Sequence, residues 1–92
     1  MTAERVDELK RRLSAGLQPT RLHVSDESDK HIGHEGAQSG LGHFSVLVVS
    51  ERFNGLPTIR RHQLVYDIVG DMMTTDIHAL SIKAIAPNEL TQ

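Results

Sequence analysis

Cysteine and tryptophan are both absent from the 92 residues, and only three aromatic rings are present: Phe44, Phe53 and Tyr66. Without cysteine the fold carries no disulfide, and any thiolate ligand has to come from another molecule. Three rings are too few for a platform that binds single-stranded nucleic acid by stacking on successive aromatic faces. A strong charge of either sign is missing as well. The formal net charge of −2 argues against a whole-surface attraction to nucleic acid or anionic membrane, and leaves only a local basic patch open. No apolar run approaches the roughly 20 residues of a membrane span, and the N-terminus lacks the apolar core of a secretory signal. Acids sit among the bases near the N-terminus, unlike a transit peptide. The expected location is therefore cytoplasmic, with the mitochondrial matrix or another organelle open if a targeting segment has been removed. Catalytic patterns are also wanting. There is no cysteine nucleophile, no Ser-His-acid arrangement with a recognisable elbow, and no phosphate-cradling glycine loop ahead of a helix. A non-enzymatic role is expected.

What the chain does have is a hydrophobic fraction of 38%, much of it Val, Ile and Leu gathered in a few runs. That is enough for one small core, so residues 1–92 read as a single domain. The compositional oddity is six histidines: His23, His31, His34, His43, His62 and His78.

Periodicity orders the chain. Val6, Leu9 and Leu13 form the apolar stripe of a helix over Met1–Ala15, with Gly16 as its stop. Thr20–Ser25 alternates as a short strand with Leu22 and Val24 inward. Asp26–Gly42, with four glycines, reads as a mobile loop joining two strands. His43–Ser50 is apolar on both faces and suits a central strand. Phe53–Pro57 makes a turn, and a helix from about Thr58 to Met73 buries Leu64, Val65, Ile68, Val69 and Met72. Ile77–Ile85 is the third strand, and a frayed helical turn is expected within Asn88–Gln92. The order is α-β-β-α-β. A hairpin followed by a parallel crossover gives a three-stranded mixed sheet with both helices on one face, an α+β two-layer domain.

Several side chains stand out against that frame. His78 shares strand parity with Leu80 and Ile82, which places it toward the helical layer at its rim. His31 and His34 lie in the glycine-rich loop, where the backbone can adapt to a metal or a partner. Arg60, Arg61 and His62 read either as a cationic helix start suited to phosphate or to a carboxylate such as that of glutathione, or as a solvated basic turn balanced by Glu51 and Asp67. His23 and His43 are assigned to the sheet surface. Asp26, Glu27 and Asp29 read as a solvated loop start.

Taken in order, Asp26-Glu27-Ser28, His31, His43-Phe44, Val48-Val49-Ser50, Phe53-x-Gly55, Arg61-His62-x-Leu64-Val65-Tyr66, His78-Ala79-Leu80-Ser81-Ile82 and Pro87 resemble the successive motifs of the BolA family, across about residues 22–90. The resemblance implies a class II KH-like fold, in agreement with the element order. It also implies partnership with a monothiol glutaredoxin as a heterodimer, and a role in iron–sulfur assembly, trafficking or iron regulation. The implied cofactor is a 2Fe–2S cluster shared with the glutaredoxin and its glutathione, with none held by the chain alone. The implied ligands are a loop histidine, matching His31 or His34, and the histidine that opens the last strand, matching His78. A second theme of the family is transcriptional control through DNA, which here points to the helix bearing Arg60 and Arg61. Two departures are visible. Gln63 stands where the family often has Arg, which weakens a basic patch, and Gly42 stands where Thr or Ser is usual. KH-type RNA clamping is not expected. Gly55-Leu56-Pro57-Thr58 lacks the second glycine, and Gly33-His34-Glu35-Gly36 falls between strands rather than between helices.

Overall fold

A computed structural model describes residues 2–28 and 41–91 of the chain. The expected mobile loop, with His31 and His34, falls largely at 29–40, outside the described residues.

Helix α1 spans Thr2–Leu17. Leu9, Leu13 and Leu17 recur at four-residue spacing and none is more than 1% exposed. Burying each contributes about 1.5–3 kcal/mol. The helix runs past Ala15, so Gly16 is not its stop. A Cβ at Gly16 would sit 2.8 Å from Ile68 Cδ1, so this glycine permits close approach of a second helix. Gln18 takes the left-handed position instead, with φ 46°, and donates its N–H to the Ser14 carbonyl.

Strands β1 (Arg21–Asp26), β2 (Gly42–Val49) and β3 (Ile77–Ile85) form one sheet in the order β1-β2-β3. β1 and β2 pair antiparallel, while β2 and β3 pair parallel. Val24, Phe44, Val46 and Val48 are buried against the leucines of α1 and against Val65 and Val69. Leu80, Ile82 and Ala84 of β3 pack on the same cluster. The helices therefore cover one sheet face, as the periodicities require. His23, Ser45, Leu47, Ser81 and Lys83, of opposite parity, line a shallow groove on the other face.

The second helical segment differs from expectation. Helix α2 spans Thr58–Val69 and a separate turn, α3, covers Met72–Thr75. Gly70 breaks the run: its φ of 63° leaves the helical region, and its N–H still bonds the Tyr66 carbonyl. Arg12 of α1 holds that break, donating to the Val69 carbonyl and to Asp71 Oδ1. Ser50, fully buried, donates to the Leu17 carbonyl at 2.6 Å and accepts from the Arg52 N–H at 3.1 Å. It ties the end of β2 to the end of α1. The C-terminal turn is a 3-10 helix over Pro87–Thr91.

Candidate functional site

The site begins with an irregularity in the parallel ladder. Gly42 pairs with Ile77, but the next residue, His43, pairs with Ala79. β3 therefore carries one extra residue, His78. An extra residue of this kind breaks the alternation of faces and re-aims the side chains around it. Ile77 is buried in the core and so is most of Leu80, which simple alternation does not allow. The expectation that His78 shares the core-facing parity of Leu80 and Ile82 fails for this reason. His78 is exposed. Its ring lies against that of His43, with centroids 5.0 Å apart and planes inclined by 48°.

His43 is half-buried, and its Nε2 has essentially no access to solvent. Its backbone is held by the root of the β1–β2 hairpin. The Glu27 N–H donates to the His43 carbonyl at 2.7 Å, and the His43 N–H donates to Ser28 Oγ at 3.0 Å. Ser28 is fixed in turn by its N–H bond to Asp26 Oδ1, while Ser25 donates its hydroxyl to Glu27. Asp26 and Glu27 thus organise the turn rather than standing free in solvent. Gly42 is needed here, since a Cβ would overlap the Phe44 ring and come within 3.1 Å of Ser28 Oγ. Its own N–H donates to the Asp76 carbonyl at 2.9 Å. A shallow groove of about 330 Å³ opens beside the pair, with Glu27 and His43 in its wall.

The other residues singled out in the sequence separate. His31 and His34 lie outside the described residues. Among the described residues no three metal-binding side chains converge, so the His43–His78 pair is not a closed mononuclear site. Arg60 is exposed, and among the described residues its side chain reaches Gln63 Oε1, at 3.4 Å. Arg61 is committed to the fold. It donates to the carbonyls of Leu56 at 2.7 Å and Ala84 at 3.0 Å, and forks onto both oxygens of Glu89. That pairing holds the Glu89 carboxyl down to about 2, with the Ala86 N–H as a lesser cause. The carboxylate partner is thus Glu89, where Glu51 and Asp67 were expected to balance this turn. His62 is half-buried on the same helix.

Sequence reasoning placed His43 on the sheet surface and missed its neighbour. Alternation along β2 gives its face, but contact with His78 depends on the register shift, which no local pattern announces.

These features define a small two-layer α+β domain in which an exposed imidazole, His78, lies against the half-buried His43 at the base of the β1–β2 hairpin. The model for the family described as BolA-like protein matches residues 13–89, and the chain belongs to the BolA family. It is 42% identical, over 94% of its length and 78% of the relative, to a DNA-binding transcriptional regulator BolA of Vibrio cholerae. It is 36% identical to a chloroplastic/mitochondrial SufE-like protein 1 of Arabidopsis thaliana, over 89% of this chain. A chloroplastic BOLA1 protein of the same plant is 35% identical over 92% of this chain. The chain spans 24% and 55% of the lengths of those two plant relatives. Among solved structures it resembles the BolA domain of Arabidopsis thaliana SufE1, with a TM-score of 0.82, 38% identity and coverage of 92% and 94% of the two chains. No helix among the described residues is long and apolar enough to cross a membrane.

Proposed function

We propose that this chain is an adaptor that binds a monothiol glutaredoxin and shares a 2Fe–2S cluster with it, in iron–sulfur assembly, trafficking or iron regulation. The supporting observation is the exposed imidazole of His78, set on a strand against His43 at the root of the hairpin that carries His31 and His34. A ligand on a rigid element that still reaches solvent suits a coordination sphere completed by a second protein. Histidines on one iron with thiolates on the other is an established way to hold such a cluster. A chain without cysteine supplies only the imidazoles, His78 and one of His31 or His34. The glutaredoxin thiol and glutathione supply the sulfur. The reading holds for a cytoplasmic or an organellar protein alike.

The test is anaerobic mixing with a cluster-loaded monothiol glutaredoxin, followed by visible absorption and circular dichroism. The expected result is a stable heterodimer with a changed cluster spectrum that His78→Ala abolishes. A wild-type spectrum from His78→Ala removes His78 as a ligand, and a stable heterodimer whose cluster spectrum does not change leaves a docking role without coordination.

A second reading, a DNA-binding regulator using α2, is favoured by the names of the Vibrio cholerae relative and of a 38% identical Escherichia coli relative. The cation that the fold leaves available on that helix is Arg60, since Arg61 is engaged.

A further inference from the structure

We infer that His43 is a positioning residue, whose ring holds the exposed His78 imidazole and couples it to the root of the β1–β2 hairpin. The inference deepens the proposed function and rests on it for its consequence in cluster sharing, though its structural content stands apart. Three observations carry it. The extra residue in β3 frees His78 from the ladder's alternation, so that simple pairing does not dictate where its side chain goes. The one ring contact formed by His78 among the described residues is with His43, at 5.0 Å. The His43 backbone is held at both its carbonyl and its N–H, by Glu27 and by Ser28.

The burial of His43 Nε2 separates the roles of the two rings. That nitrogen is not offered to an incoming metal, whereas His78 is exposed. With that nitrogen withdrawn, His43 takes in this inference the part of a wall and the exposed His78 that of the ligand. An unsupported imidazole distributes over about three χ1 wells and two ring orientations, roughly six arrangements. Holding it in one of them raises the competent fraction by at most about sixfold, and the apparent affinity rises by the same factor. Because the wall is anchored to Glu27 and Ser28, a partner that engages the hairpin root also acts on His78.

The experiment compares His43→Val with His43→Phe. Valine removes the ring but suits a strand, and phenylalanine restores a ring without a metal-binding nitrogen. In the free protein, NMR side-chain couplings and ring relaxation of His78 report its order without any cluster. Rotamer averaging is expected in His43→Val and wild-type order in His43→Phe. In the mixed complex, affinity for the cluster-loaded glutaredoxin should fall about three- to sixfold for valine and hold for phenylalanine. An equally ordered His78 in His43→Val overturns the inference. So does a His43→Phe protein with ordered His78 that no longer changes the cluster spectrum, because His43 is then a ligand. If His43→Val does not fold, the phenylalanine arm decides alone: a disordered His78 overturns the inference and an ordered one supports it. A wild-type chain that never alters the cluster spectrum, with His78 order still responding to His43, removes the proposed function and leaves the positioning role standing.

Discussion

The guanidinium of Arg61 grips both carboxylate oxygens of Glu89 at 2.8 Å each, while its other contacts go to the carbonyls of Leu56 and Ala84. One side chain thus joins the turn before α2, the end of β3 and the C-terminal 3-10 helix. It also lies over the Phe53 ring at 6.0 Å.

That grip sets a pH dependence. The Glu89 carboxyl is depressed from 4.5 to about 2 in the folded chain. A depressed carboxyl adds stability that is fully present above its ordinary value and is lost as pH falls toward the folded one. The difference in melting temperature between wild type and Glu89→Gln should therefore be constant at neutral pH, shrink below about pH 4.5 and vanish near pH 2. A gap that does not change with pH would show that the fork contributes no charge-dependent stability.

The two arginines of α2 should behave differently in a DNA-binding assay. Arg61→Ala leaves the Leu56 and Ala84 carbonyls without their donor and is expected to cost about 1–3 kcal/mol in denaturant unfolding. Its effect on DNA is therefore confounded with stability. Arg60→Glu removes, among the described residues, an exposed contact with Gln63 and isolates the electrostatic question. If α2 meets a phosphate through Arg60, this variant should lower affinity and reduce the salt slope by about one. An unchanged slope removes Arg60 from the interface.

At Gly16 the close approach to Ile68 outweighs helix propensity. Gly16→Ala should destabilise by about 1–3 kcal/mol, the usual cost of overpacking. In an Ile68→Ala background the same substitution should become favourable by up to about 1 kcal/mol, the propensity gain of alanine over glycine. Chemical denaturation of the four proteins gives the coupling directly. Additive effects would mean that the two helices separate freely at this point.

Loop and strand histidines should contribute unequally to cluster sharing. His78 sits in a paired strand, whereas His31 and His34 are three residues apart in the sequence, and each is expected to stand in for the other. His31→Ala alone should weaken the spectral change in the mixed complex, and His31→Ala with His34→Ala should match the loss in His78→Ala. Full retention in the double variant would confine coordination to β3.

The fold was readable because its information is local. Val24, Val46 and Val48 announce their face by alternation, and Leu9 and Leu13 announce theirs by helical spacing. The site was readable only in part. That Gly16 admits a neighbouring helix, and Gly70 ends one, depends on Ile68 and on backbone dihedrals that the letter G does not encode. Arg61 looked like a surface cation because its partners, Ala84 and Glu89, come from the far end of the chain. The His43–His78 contact was hidden by a single-residue slip in a parallel ladder, a property of two strands together and of neither alone.

The parallel pairing of β2 with β3 has a consequence for synthesis. The β1–β2 hairpin can close as soon as both strands have left the ribosome, since its partners are near in sequence. Its neighbour β3 arrives only after α2 and α3 have been made, and non-local strand pairing is the slower event. The two imidazoles therefore meet among the last contacts of the chain. A nascent or truncated product that stops short of Ile77 carries His43 on its hairpin but lacks His78, and so presents one ring of the pair without the other.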